Sequence, residues 1–114
     1  MVTKHITIAS AETTYVVRAG GAVIAESANA LMLHEGDMAP FVYFPRADVA
    51  MIFLEASEKT SHCPHKGDAN HFHIEAKSGR IADAAWSYES PKEDVARIEG
   101  YVAFYTNKVT VEAL

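Results

Sequence analysis

Apolar and polar residues alternate along much of the chain, and many of the apolar ones are β-branched or aromatic. This period of two is typical of strands that bury one face. A short apolar run at residues 51–54 fits either a strand or a helix. The alternation predicts a mostly β chain with strands at residues 5–8, 14–18, 22–26, 31–35, 41–44, 70–75, 80–86, 101–105 and 109–112.

Turn-forming residues separate these strands. The pair Gly20–Gly21 can supply the positive φ angles of a tight hairpin turn. Gly36–Asp37 predicts a second turn, and Pro45 ends a strand because proline has no N–H to donate to a ladder. Residues 46–49 are predicted as a turn, and the polar segment 59–67 as a loop.

One short helix is predicted near residues 91–99. Ser90 is a candidate N-cap, and Glu93 stands where a capping box requires an acidic residue. Val95 and Ile98 then fall on one face of the helix, which we expect to be buried.

The chain has 114 residues, of which 49% are hydrophobic and 22% charged, values typical of a folded globular protein. This length predicts a single domain spanning residues 1–114. The net charge of −5, without any basic run, argues against binding to nucleic acid or to an anionic membrane. We therefore expect neither class of partner.

Cysteine usage and the absence of long apolar segments predict a cytoplasmic protein. Cys63 is the only cysteine, which excludes an intrachain disulfide and suits a reducing compartment. No stretch reaches the roughly 20 apolar residues of a membrane-spanning helix. The N-terminus has no pattern of a secretory signal.

Four motifs in fixed order carry a resemblance to a known family. They are YFPRADV at residues 43–49, CPHKG at 63–67, AWSY at 85–88 and GYVAFY at 100–105. Together they resemble the family called domain of unknown function 427, over nearly the whole chain. The resemblance implies a compact β-tent-like domain of short, bent antiparallel strands. Relatives of that fold hold zinc with paired Cys-x-x-Cys motifs, which one cysteine does not supply.

The family has also carried a nucleotidyltransferase label. The sequence contains neither a phosphate-binding P-loop nor an Asp-x-Asp pair for metal-assisted nucleotidyl transfer. Nucleotidyltransferase activity is therefore only a remote third hypothesis for this chain.

Cys63 and Lys66 form the first candidate site. A nearby ammonium or imidazolium group lowers the pKa of a thiol, so Cys63 is a candidate nucleophile beside Lys66. The alternative is a structural cysteine that starts a tight turn with Pro64. We favour the structural interpretation.

Three histidines are weak candidates for metal ligands. His71 and His73 lie two apart on a predicted strand and so share one face, and His65 lies in the polar segment before them. Their spacing matches no standard zinc motif. We expect no metal and no cofactor.

Glu35, Arg46 and Asp48 occupy positions that recur in the family that the chain resembles. In one interpretation Arg46 and Lys66 line an anion-binding cleft, with Glu35 or Asp48 as a general base. In the other, these residues form an internal network of ion pairs that fixes the loop after a strand. Both interpretations stay open on the sequence alone.

Trp86 and Tyr88 share one face of a predicted strand, and the resemblance implies that they border the cleft that contains Lys66. Tyr101, Ala103 and Tyr105 share a face in the same way. We expect a polar cleft that binds a small anionic molecule and that is a possible site of catalysis. The alternative is a structural or protein-interaction domain whose polar motifs hold irregular loops.

Overall fold

The computed structural model describes residues 6–114, and antiparallel strands form most of this part of the chain. The predicted mostly β architecture of short antiparallel strands is confirmed. His5, assigned above to the first strand, lies outside the described residues. The strands are β1 (Ile6–Ser10), β2 (Tyr15–Ala19), β3 (Ala22–Ser27), β4 (Leu31–Glu35), β5 (Phe41–Tyr43), β6 (Leu54–Cys63), β7 (Gly67–Ala76), β8 (Gly79–Ser87), β9 (Val102–Phe104) and β10 (Thr110–Ala113).

These strands form three sheets. Their orders are β1-β4-β5, β10-β2-β3 and β6-β7-β8-β9. Two isolated bridges add to this pairing: Phe44, just after β5, pairs with Val102 of β9, and Ala25 of β3 pairs with Val49. The four-stranded sheet therefore lies next to β5 through the bridge at Phe44, which sets the position of the site described below.

The hairpin predicted at Gly20–Gly21 is confirmed. Ala19 pairs with Ala22, so two glycines make the whole connection. Their φ angles are +56° and +81°. Two positive φ angles are what a tight turn between right-twisted strands requires, and glycine adopts them without a Cβ clash.

The loop predicted over residues 59–67 is wrong. β6 continues to Cys63 and pairs with β7, so only residues 64–66 form a turn. Most of β6 is exposed, including Lys59 and Ser61. Because β6 is an edge strand with little buried surface, its sequence carries no apolar alternation, although residues 60–63 pair with β7.

The helix near residues 91–99 is shorter than predicted, and its capping is wrong. A 3₁₀ helix spans Glu93–Ile98 and has no side-chain cap. Lys92 before it is extended, and its N–H bonds to the carbonyl of Lys66 at 2.9 Å. This bond ties the segment to the β6–β7 turn, so Ser90 cannot start a helix. Val95 and Ile98 are buried as predicted.

Two further short 3₁₀ helices precede β6. Arg46–Asp48 forms the first, where a turn was predicted. Met51–Phe53 forms the second, and the apolar run at 51–54 is thus a helical turn that leads into a strand. No helix in residues 6–114 is long and apolar enough to cross a membrane.

Two clusters of buried residues lie against the four-stranded sheet. Consecutive residues of a strand face opposite sides and so belong to different clusters, as Tyr43 and Phe44 do, and likewise Ala103 and Phe104. The apolar cluster contains Val17, Ala19, Ile24, Ala25, Phe44, Val49, Phe72, Ile74, Ala84, Ala85, Val102, Phe104 and Val109. The polar-aromatic cluster contains Leu31, Leu33, Tyr43, Ala69, Trp86, Tyr88, Val95, Ile98 and Ala103.

Candidate functional site

A cleft of about 290 Å³ lies over the polar-aromatic cluster. Four of the residues predicted from the sequence line it, and they come from β4, the β6–β7 turn, β8 and the residue that follows β8. The lining residues are Glu35, Met38, Phe41, Tyr43, Ser61, Lys66, Trp86, Tyr88 and Tyr105.

Lys66 is the only buried charged side chain among residues 6–114, with 8% of its surface exposed. Its backbone is held at both ends of the turn: its N–H donates to the Cys63 carbonyl at 3.2 Å, and its carbonyl accepts from Lys92. Gly67 follows with a φ angle of +111°, a conformation that favours glycine. The turn therefore directs the lysine inward rather than into solvent.

The ammonium of Lys66 forms an ion pair with Glu35 at the end of β4. Nζ donates to Oε1 at 2.8 Å, and it lies 6.0 Å from the centre of the Tyr88 ring. Burial alone lowers the pKa of Lys66, but the hydrogen bond to Glu35 and the proximity of Tyr88 and Cys63 raise the pKa above its ordinary value. Lys66 is thus charged at neutral pH.

Aromatic rings form the walls of the cleft. Trp86 donates from Nε1 to the Tyr43 hydroxyl at 3.1 Å. The Tyr105 ring lies 4.4 Å from that of Trp86, and Phe41 meets Trp86 edge-on at 6.0 Å. These contacts fix the rings, so the cleft is largely preformed.

The tyrosine hydroxyls of the cleft stay protonated at neutral pH. Burial raises the pKa of Tyr43 far above its ordinary range and also raises that of Tyr105. Burial raises the pKa of Tyr88 too, against the opposing effect of the Lys66 charge. Each phenol is therefore a neutral group that can donate one hydrogen bond.

Ser61 lies at the edge of the cleft and is held by a buried histidine. Its Oγ is 2.9 Å from Nε2 of His71, a residue that is only 1% exposed. The His71 ring stacks on Tyr105 with a centroid distance of 6.1 Å. Burial, with contributions from Lys59 and Lys108, lowers the pKa of His71, so the ring is neutral at pH 7.

Arg46 lies outside this cleft. Its guanidinium donates to the carbonyl of Gly100 at 2.9 Å, to Oγ of Ser87 at 3.0 Å and to Glu89 at 2.9 Å. It also lies over the Phe72 ring. These contacts join the start of a 3₁₀ helix to β8 and to the segment before β9. They differ from the network considered above, because neither Glu35 nor Asp48 is a partner of Arg46: Glu35 pairs with Lys66 and Asp48 with Ser27. Arg46 and Lys66 are therefore not brought together.

Asp48 is also remote from the cleft, whereas Cys63 lies near it. Asp48 accepts a hydrogen bond from Ser27 Oγ at 2.6 Å, so it is engaged with β3. Cys63 is half-buried at the end of β6 and packs against the polar-aromatic cluster. It lies close enough to Lys66 and Tyr88 to affect their pKa values.

The three histidines named as weak metal candidates are dispersed. His65 is exposed in the β6–β7 turn. His73 accepts a hydrogen bond at Nδ1 from the backbone of Asp83 at 3.0 Å, while His71 is bonded to Ser61. In residues 6–114 no group of three or more His, Cys, Asp or Glu side chains is placed to hold a metal ion.

Five lining residues were missed by the sequence analysis: Met38, Phe41, Tyr43, Ser61 and Tyr105. Ser61 was hidden in the segment predicted as a loop, although strand alternation from Cys63 would have placed it on the same face. Phe41 and Tyr43 lie two apart on β5 and so share a face, which strand alternation could have indicated. Met38 lies in a turn and gave no signal. Tyr105 was recognised only as a face partner of Tyr101.

Comparison with known proteins gives one family. A family model described as "Domain of unknown function (DUF427)" matches residues 7–113, which is nearly the whole chain. The chain therefore belongs to the DUF427 family. A comparison with curated proteins found no match.

Proposed function

We propose that this member of the DUF427 family binds a small molecule in the cleft over the polar-aromatic cluster, and that Lys66 contacts an anionic group of that molecule. The observation that carries the proposal is the burial of the Lys66 ammonium at the cleft wall. Buried charges are ordinarily matched by partners that satisfy their hydrogen bonds.

The hydrogen bonds of Lys66 favour an oxygen-bearing ligand. An ammonium has three N–H donors. Glu35 accepts one of these bonds at 2.8 Å, and the weakly accepting Cys63 lies close by. A carboxylate or phosphate oxygen in the cleft would accept a second bond from Nζ and make the desolvated cation more fully satisfied.

The other polar groups of the cleft fit the same ligand. The neutral hydroxyls of Tyr88 and Tyr105 are donors, and Ser61 adds a hydroxyl at the rim. Glu35 fixes the position of the Lys66 ammonium, which has further N–H groups to donate. The proposal is for binding and includes no reaction.

A structural role is the second candidate, because two of the predicted site residues bond to other parts of the protein. Arg46 and Asp48 bond to Ser87, Gly100, Glu89 and Ser27 rather than facing a cleft. In this alternative the Lys66–Glu35 pair would likewise serve only to hold the β6–β7 turn against β4.

The acidic net charge and the single cysteine support a cytoplasmic small-molecule protein rather than a partner of nucleic acid or membranes. The proposal therefore keeps these sequence-based expectations.

Backbone amide NMR titration tests the proposal against the structural alternative. The uniformly labelled protein would be titrated with inorganic phosphate, citrate and benzoate, with chloride as the ionic-strength control. We expect saturable shifts centred on the cleft for at least one of the three anions. Lys66→Met should abolish them, whereas Lys77→Met, which removes an exposed lysine of the β7–β8 turn, should not. Shifts that are scattered over the surface, or unchanged in Lys66→Met, would overturn the proposal.

A further inference from the structure

A second cavity of about 270 Å³ adjoins the Lys66 cleft. The two cavities share four lining side chains: Met38, Phe41, Trp86 and Tyr105. The two cavities are therefore neighbours on either part of this common wall. The second cavity, which we name the apolar pocket, extends from the shared wall to β5, β9 and β10.

The apolar pocket has a different chemistry from the cleft. Beyond the shared wall, most of its surface is formed by apolar side chains such as Val42, Ala103 and Val111. No charged side chain lines this pocket. An apolar cavity of about 150 Å³ is large enough to hold benzene. The apolar pocket thus has room for an aromatic ring or a branched alkyl group.

We infer that the ligand is an amphipathic monoanion, with a carboxylate at Lys66 and an aromatic or branched alkyl arm in the apolar pocket. The inference rests on the proposed function, because it assumes an anion at Lys66. Small-molecule sites are commonly mostly apolar, with a few placed polar groups that fix orientation. The two adjoining cavities together have this composition: Lys66, Glu35 and Ser61 line the cleft, and none of them lines the apolar pocket.

The rings of Trp86 and Tyr105 form a rigid surface against which the apolar arm of the ligand can pack. Trp86 is buried and held by its bond to Tyr43, and Tyr105 packs against it at 4.4 Å, so both present fixed surfaces. Met38 lines both cavities and is 56% exposed, so its flexible side chain can pack against an arm. A simple inorganic anion would leave all of this apolar surface in contact with water.

A homologous series separates the two ends of the ligand. Acetate, phenylacetate and 3-phenylpropionate share the carboxylate and differ in the arm, and 3-phenylpropanamide keeps the arm without the charge. We expect 3-phenylpropionate to bind at least about tenfold more tightly than acetate, since apolar surface leaves water on binding. The amide should bind at least about tenfold more weakly than its acid, as expected when a charge-assisted hydrogen bond is lost.

Valine-to-threonine variants test the apolar pocket without touching the Lys66 cleft. Val42→Thr and Val111→Thr each replace a methyl by a hydroxyl in the pocket wall. Val23→Thr is the matched control, because Val23 is 47% exposed on β3, outside both cavities. The double variant Val42→Thr/Val111→Thr should weaken 3-phenylpropionate several-fold and leave acetate unchanged, with a circular-dichroism melt to show that it folds.

The outcomes distinguish failure of the inference from failure of the proposed function. Equal affinities for acetate and 3-phenylpropionate, both lost in Lys66→Met, would overturn the amphipathic ligand while leaving the anion site. Equal affinities for the acid and the amide would overturn both the inference and the role of Lys66. Absence of binding by the whole series would also overturn the inference, and the phosphate and citrate titrations would then decide the proposed function alone.

Discussion

The two buried clusters show how one set of strands builds a structural core on one side and a cleft on the other. Every side chain of the apolar cluster lacks a polar atom, whereas the polar-aromatic cluster includes Tyr43, Trp86 and Tyr88 and adjoins the buried residues Lys66 and His71. The strands do not differ in type: Phe44 belongs to one cluster and Tyr43 to the other. Because adjacent residues of a strand face opposite sides, one residue can contribute to the core while its neighbour contributes to the cleft.

This comparison implies that the two clusters respond differently to substitution. A closed apolar cluster loses stability in proportion to the volume removed. A cluster beside a water-accessible cleft should be more tolerant, because exposed polar groups can be hydrated. The predictions below test this difference from the largest expected effect to the smallest.

Phe44→Ala should give the largest loss of stability. Phe44 is fully buried and meets Phe104 edge-on at 5.8 Å. Removing a buried phenyl ring from a closed core typically costs about 3–5 kcal/mol of unfolding free energy. Urea denaturation measures the change, with Phe44→Leu as a milder variant if the alanine variant does not fold. A loss below about 1 kcal/mol for both variants would mean that this cluster is not the structural core.

Arg46→Met should lower the unfolding free energy by about 1–3 kcal/mol, since the polar partners of Arg46 lose their donor. Ser87 is fully buried and Gly100 is half-buried. The matched control is Arg18→Met, because Arg18 forms an exposed ion pair with Glu112. Exposed pairs contribute about 0–1 kcal/mol. Equal small losses for the two variants would contradict a structural role for Arg46.

His71 should make stability depend on pH just below neutrality. The pKa of His71 is lower in the folded protein than its ordinary value of 6.5, so the unfolded chain binds the proton first. Stability is therefore unaffected above about pH 6.5 and falls as the pH drops below it, by at most about 1.4 kcal/mol per pH unit.

The variant His71→Gln retains a polar group near Ser61 and removes this titration. Urea denaturation at several pH values between about 7 and 5 should show a shallower decline for the variant than for the natural chain. Identical slopes would mean that His71 is protonated as easily in the folded protein as in the unfolded chain.

Tyr43→Phe should lower the unfolding free energy least, by about 1 kcal/mol, although Tyr43 is the neighbour of Phe44 in sequence. The ring is retained, and only the hydroxyl that accepts from Trp86 Nε1 is lost. The bond is buried, so the loss is that of one neutral hydrogen bond. The measurement is again urea denaturation. A loss as large as that of Phe44→Ala would show that the cleft side is as closed as the apolar cluster.

The sequence predicted most strands because their buried faces impose a visible alternation. It failed for β6, an edge strand whose polar residues 59–63 carry no such pattern, and for the capping of the helix by Ser90, which is overridden by the bond between Lys92 and Lys66. Local signals do not report pairing between distant segments.

The candidate site was only partly predictable, because contacts between distant segments decide which side chains meet. Lys66, Glu35, Trp86 and Tyr88 do meet in one cleft, whereas Arg46 and Asp48 do not join them. An arginine beside a turn looks the same in sequence whether it faces a ligand or a buried carbonyl. The choice is made by tertiary contacts with Gly100 and Ser87, which are 54 and 41 residues away.

The central claim is that Lys66 is held in the cleft for an anionic ligand, and the stability of three proteins with and without 3-phenylpropionate tests it most directly. For the natural chain and for Lys77→Met, the acid at a hundredfold excess over its dissociation constant should raise the unfolding free energy by about 2.7 kcal/mol. Folded Lys66→Met should gain almost nothing at the same concentration. An equal gain for Lys66→Met would contradict the claim, because the acid would then bind without the lysine.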